Sequence, residues 1–206
     1  THFDEISDIV YNTLNGKYYL SKMDVEALID CDIFAGVDEL IINWLITRLE
    51  NEDIGAKLGV KNIPQICAER RKKHFGRRYR SEYFILENAF YIISDGKYQP
   101  VSGIKNLVKD YTEITYKLDR RYRYFYYYFD SMEDATQLEK LRELVENIYT
   151  NEYLNKITVN WNNEFADADG ETGLVKQKDF FSKYINYSKD RVVVFISDAF
   201  RYEVAH

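Results

Sequence analysis

The sequence is 206 residues long, 46% hydrophobic, 30% charged and 16% aromatic, with a formal net charge of −6. So much Tyr, Phe and Trp excludes a disordered chain, since burying those rings offsets the entropy lost on ordering the backbone. No apolar run nears the roughly 20 residues that a membrane-spanning helix needs, and Cys31 and Cys67 lack the C-x-x-C spacing of zinc or redox sites.

Only two prolines and nine glycines punctuate the chain, and apolar residues recur at three- and four-residue spacing, so most of it is expected to be helical. Asp24 is placed to cap a short helix through Ile29. Val37, Leu40, Ile41, Trp44, Leu45 and Leu49 line one stripe of a longer helix. Gly55 and Gly59 loosen the chain beyond it, and Pro64 starts a helix expected to run through Arg70 to Lys73. Tyr83, Leu86, Ala89, Phe90 and Ile93 mark another, ending at Gly96. A further helix is expected from Ser102 through Leu107, Tyr111 and Ile114. The clearest amphipathic stripe comes later, in Leu138, Leu141, Leu144, Val145, Ile148 and Tyr149. The polar stretch "NNEFADADGETGLVKQ" reads as a linker with Gly170 and Gly173. These signals divide the chain into a helical domain at 1–162, a linker with a short helix at 163–190, and a distinct terminal region at 191–206.

Charge is unevenly spread. Residues 1–68 carry 5 basic and 12 acidic side chains, whereas residues 69–130 carry 14 and 8. The densest basic stretch is "ERRKKHFGRRYR", in which Arg70, Arg71, Lys72, Lys73, Arg77, Arg78 and Arg80 are candidates to neutralise phosphates of a nucleic acid. The competing reading is a helix face that pairs with the acidic flanking segments or with an acidic partner. In "DRRYRYFYYYFD", seven of the eight residues from Tyr122 to Phe129 are aromatic. On a helix, Tyr122, Phe125, Tyr126 and Phe129 share one side, the expected core face, with hydroxyls reaching polar partners at its rim. A stacking platform for single-stranded nucleic acid is the alternative. His2, His74 and His206 show no i, i+4 spacing for a helical metal site.

Val192 to Ile196 is a run of β-branched and aromatic residues, the pattern of a strand buried on both faces at the centre of a parallel sheet. Asp198 then falls at the carboxyl end, where open α/β sheets place ligands, and a carboxylate there suits Zn²⁺, Mg²⁺ or Mn²⁺. An Asp capping the next helix fits the same spacing.

"VVVFISDAFRYEVAH" resembles the opening strand and first motif of the PglZ domain, a branch of the alkaline phosphatase superfamily found in BREX phage-defence systems. "VDELIINWL", "YKLDRRYRYF" and "QKDFFSKYI", with the Arg71 to His74 region, resemble the helical region that precedes that domain in type A proteins of the family. The resemblance implies a mainly α chain, a multi-helix region followed by the first β-strand of a truncated α/β alkaline-phosphatase-like domain. It further implies a metal-dependent phosphohydrolase, a phosphatase or phosphodiesterase, as the parent protein, with zinc or another divalent metal held in part by Asp198. The nucleophile and remaining ligands of the family lie downstream, so no catalytic residue and no bound metal are expected within this chain. Thr1 in place of an initiating Met accords with a fragment. Partners implied are other BREX components, with nucleic acid as the alternative through the 69–130 segment, and the expected location is the cytoplasm without a membrane. Arg201 and Glu203 belong to the motif and are expected to stabilise the turn after the strand.

Overall fold

The structure is a computed structural model that describes residues 2–168, 172–196 and 201–205. The first helices are α1 (His2–Thr13), α2 (Gly16–Leu20), α3 (Val25–Leu28) and α4 (Ala35–Glu50). Asp24 caps α3, its carboxylate accepting the Glu26 amide at 3.0 Å. In α4 the expected stripe turns inward, and Val37, Ile41, Leu45 and Leu49 are wholly buried. A two-stranded antiparallel hairpin follows, β1 (Lys57–Leu58) and β2 (Lys61–Asn62), with Leu58 opposite Lys61. Gly59 sits in its turn at φ 59°, a conformation that favours glycine.

Helix α5 (Ile63–Arg70) opens with a capping box between Asn62 and Gln65 and with Pro64 in its first turn. It stops at Arg70, earlier than the sequence suggests. Residues 71–79 form consecutive turns instead, because Asp32 accepts the amides of His74 (2.7 Å) and Phe75 (3.1 Å) and thereby pulls the chain off the helix path. Gly76 lies against the Arg70 carbonyl, where a Cβ would come within 1.9 Å of the oxygen.

Helix α6 (Arg80–Asp95) buries Tyr83, Ile85, Leu86, Ala89 and Ile92 and lies along α8 (Tyr116–Phe129). Helix α7 (Ile104–Asp110) passes without a break through a π-helical turn, Tyr111–Thr115, into α8. Helix α9 (Glu139–Asn147) likewise passes through a π-helical stretch, Ile148–Leu154, into α10 (Asn155–Asp167). Two long helices, each with one π interruption, therefore stand where the sequence suggested shorter ones, and α10 runs on past residue 162. The connection between α6 and α7 is fastened by Asn160, whose Oδ1 accepts from the Tyr98 hydroxyl and the Val101 amide, both at 2.7 Å. A continuous core of α4, α5, α6, α8, α9 and the second π stretch holds the molecule together.

The described part of the terminal region is mostly irregular. Val192 to Ile196 has no ladder partner among the described residues, and Phe195 and Ile196 are 92% and 89% exposed. The physical reason is that a strand exists only through pairing with another, and the hairpin, the one sheet among the described residues, lies elsewhere in the sequence. A final short helix, α11 (Tyr202–Ala205), packs on α8. Among the described residues no helix is long and apolar enough to cross a membrane.

Candidate functional site

Three groups of residues were candidates, and the structure treats them differently. The basic stretch does not form one exposed patch. Arg70, which the sequence groups with the surface cations, is instead 1% exposed in the core. Helix α5 places Ile63, Ile66, Cys67 and Arg70 on one buried face, so the guanidinium points inward with the apolar residues. There its Nε and Nη2 donate to the two oxygens of Asp38 at 2.9 and 2.7 Å, and its Nη1 donates to the carbonyls of Ile29 (3.1 Å) and Cys31 (2.7 Å). Tyr83 completes the group, its hydroxyl donating to Asp38 at 2.6 Å. Burial opposes the Arg70 charge, yet the Asp38 carboxylate prevails and holds its pKa above the ordinary value.

Three of the other cations, Arg71, Lys73 and Arg78, meet acidic or carbonyl groups of the same chain. Arg71 pairs with Glu87 at 2.6 Å and lies 4.0 Å over the Phe84 ring. Arg78 and His74 both reach Asp4 of α1, at 3.0 and 2.6 Å, and Lys73 donates to the Asp30 carbonyl at 3.3 Å. Lys72, Arg77 and Arg80 are exposed.

The aromatic block is the second group. Phe125 is wholly buried, with Tyr122, Tyr126, Tyr128 and Phe129 half-buried around it and Tyr124 and Tyr127 facing out. The Tyr122 ring stacks on Tyr149 at 3.6 Å and the Tyr128 ring on Phe84 at 4.4 Å, so these faces are covered by protein. Their hydroxyls find carboxylates, as partly buried phenols must. Tyr122 and Tyr126 donate to the same Glu146 oxygen at 2.6 and 2.5 Å, which holds the Glu146 carboxyl below its usual range.

One turn back, Asp119 accepts from Tyr111 at 2.7 Å and Tyr149 at 3.1 Å. Burial pushes the Asp119 carboxyl up despite those hydroxyls, and the nearby Glu203 charge adds to the shift. Neither Asp119 nor Glu146 stood out in the sequence; their signal was the excess of phenols, each needing an acceptor.

The third group is the terminal motif. Asp198 lies outside the described residues, whereas Glu203 is 5% exposed against the helical body, its carboxylate 2.6 Å from Arg123 Nε. Tyr202 donates to the Thr112 carbonyl at 3.0 Å and sets its ring edge against Tyr116 at 5.4 Å. Arg201 lines a cleft of about 560 Å³ with Tyr122, Arg123, Tyr126, Glu146 and Tyr149. Two carboxylates, those of Glu146 and Glu203, two guanidinium groups and a ring of phenols thus meet at the seam between α8 and the motif. Such a seam holds segments together and offers an acid–base network, but among the described residues no group of three or more His, Cys, Asp or Glu side chains is arranged to bind a metal.

Comparison with known proteins places this geometry in context. No family model and no solved structure matches the chain. Two curated proteins do: an alkaline phosphatase-like protein PglZ of Bacillus cereus (strain H3081.97), 31% identical over 98% of the chain, and an alkaline phosphatase-like protein BrxZ of Escherichia coli O9:H4 (strain HS), 29% identical over 85% of it. The aligned regions make up 25% and 22% of those proteins, so the chain spans about a quarter of their length.

Proposed function

This chain is homologous to a segment of the alkaline phosphatase-like PglZ and BrxZ proteins, and from that premise we propose that it is the helical body of a divalent-metal-dependent phosphoester hydrolase. The enzyme would be a phosphatase or phosphodiesterase of a prokaryotic BREX antiphage system, working in the cytoplasm with other components of that system. The supporting observation is a similarity that runs along 98% of the chain, so the helices and not a local motif alone are shared. The described residues do not themselves assemble a metal centre. On this reading the chain contributes one ligand, Asp198, and the nucleophile and remaining ligands come from elsewhere in the longer protein. A bound pair of divalent ions in such an enzyme would stabilise charge on the attacking and leaving oxygens of the phosphoester. The helical body would carry the domain that does this chemistry and present surface to its partners.

In the full-length protein, Asp198→Ala is expected to lower bound zinc or manganese, measured by elemental analysis, and to abolish hydrolysis of nitrophenyl phosphate mono- and diesters. Melting of the helical body should stay unchanged. Full metal content with unchanged turnover would make Asp198 a helix cap. A native protein that binds no divalent metal and cleaves neither ester would overturn the reading altogether.

A further inference from the structure

We propose that the cleft beside the first π-helical turn binds a mononucleotide and holds its phosphate on Lys117 and Arg120. The inference stands independently of the hydrolase reading.

The cleft has a volume of about 450 Å³, within the range of roughly 300–1,000 Å³ that small-molecule sites occupy. It lies where the end of α6, the connection to α7, the π turn and the start of α8 meet. Wide turns of this kind are frequent at functional sites. Two of the lining rings are fixed in place: Tyr98 and Tyr153 are buried edge to face at 6.2 Å, and Asn160 holds the Tyr98 hydroxyl.

Four cations line the cleft, Lys97, Lys117, Arg120 and Arg121, against two carboxylates, Asp95 and Asp110. The cations are not equally available. Arg121 lies 4.0 Å over the Tyr91 ring and donates to Asn88 at 3.4 Å, and Lys97 is 3.5 Å from Glu52. Lys117 and Arg120 meet no carboxylate among the described residues, although the chain carries a net charge of −6. The contact each does make is with the Tyr116 ring, at 5.9 and 5.7 Å. Three residues apart on α8, they share one side of the helix. A phosphate answers both, since the guanidinium fork pairs with two of its oxygens and the ammonium takes a third.

The remaining lining suits the rest of a nucleotide. Ile114, 60% exposed, and Leu118 give an apolar surface for a base or sugar face, and Asp95, Asp110 and Gln99 offer acceptors for amino and hydroxyl groups. Inorganic phosphate would leave those groups unused and bring its charge toward two carboxylates. A nucleic-acid strand needs a track of cations that neutralises successive phosphates, whereas only two of this cleft's cations lack an acidic or amide partner among the described residues.

Isothermal titration calorimetry of the 206-residue chain with adenosine, guanosine, cytidine and uridine monophosphates tests the proposal. At least one should bind with a Kd below about 1 mM, and its nucleoside, which lacks the phosphate, should bind at least about tenfold more weakly. Lys117→Gln and Arg120→Gln should each weaken binding about tenfold through loss of a charge-assisted contact. Lys117 is exposed, so its variant keeps the fold, and an unchanged thermal melt checks this. Lys72→Gln, which removes an exposed cation outside the cleft, should leave affinity as it was. No binding of any of the four nucleotides at millimolar concentration would overturn the proposal, as would unchanged affinity in both Lys117→Gln and Arg120→Gln, or equal weakening by Lys72→Gln. Inorganic phosphate binding as tightly as the nucleotide, or binding of a single-stranded oligonucleotide alone, would overturn the assignment of the ligand.

Discussion

Asp38→Ala is expected to lower the melting temperature of this protein by roughly 6–20 °C, corresponding to about 3–5 kcal/mol for a buried charge left without its partner in a chain of this size. Asp38 is wholly buried, and both of its oxygens are committed to Arg70, one of them also to Tyr83. Removing it leaves the guanidinium without its carboxylate on the face of α5 that also buries Ile63, Ile66 and Cys67. Replacing both partners by apolar residues usually recovers stability when an ion pair stands alone. Here it should recover only part, because Arg70 also serves the carbonyls of Ile29 and Cys31, which the double variant Asp38→Leu, Arg70→Met would leave without a donor. Arg70→Lys should fail nearly as badly as Ala, since a point charge cannot span a carboxylate and two carbonyls at once. Thermal melts of the four proteins decide this, and a single variant within about 1 kcal/mol of native would show that the cluster is incidental.

Phe125→Ala should cost a similar amount, about 3–5 kcal/mol, through the lost transfer of the ring from water and the cavity left behind. The ring is wholly buried, parallel to Phe129 at 5.8 Å and edge-on to Tyr126 at 5.5 Å, so its neighbours are themselves rigid and collapse poorly into the space. Two residues along the same helix, Tyr127 is 69% exposed, and Tyr127→Ala should stay within about 0.5 kcal/mol of native. Urea titration of both variants measures the contrast. Equal, small effects would mean that the aromatic block is a surface feature and would revive the stacking-platform reading.

Where apolar residues repeat at helical spacing and stay inside, as in α4 and α6, the stripe alone located the helix and its buried face. The buried Arg70 was hidden by its company: it stands in a run of cations, and a run of like charges suggests solvent. Yet the period was there, since Ile63, Ile66, Cys67 and Arg70 occupy positions i, i+3, i+4 and i+7, and the last of them follows the stripe inward. Helix α1 went unread because much of its apolar pattern is not buried, with Phe3, Ile6, Ile9 and Val10 all substantially exposed. The seating of Glu203 on Arg123 is a tertiary pairing across 80 residues, and no local spacing encodes such a contact. The strand expected at Val192 to Ile196 shows the opposite limit, a strong local preference without the neighbour that would satisfy it.

The π-helical turn between α7 and α8 also bears on how this helix tolerates change in length. Along an unbroken α-helix each residue advances about 100°, so Tyr111 and Asp119, eight apart, would be offset by about 80°. One wide turn takes up about one extra residue, and the pair is brought back onto a common side, where the hydroxyl and carboxylate meet at 2.7 Å. The turn acts as a reservoir of one residue. Loss of a single residue from within Thr112 to Ile114 would be absorbed by tightening it to an ordinary α turn, with the faces of both flanking helices preserved. The same loss inside α8 would rotate everything beyond it by about 100° and turn the Phe125 face out of the core.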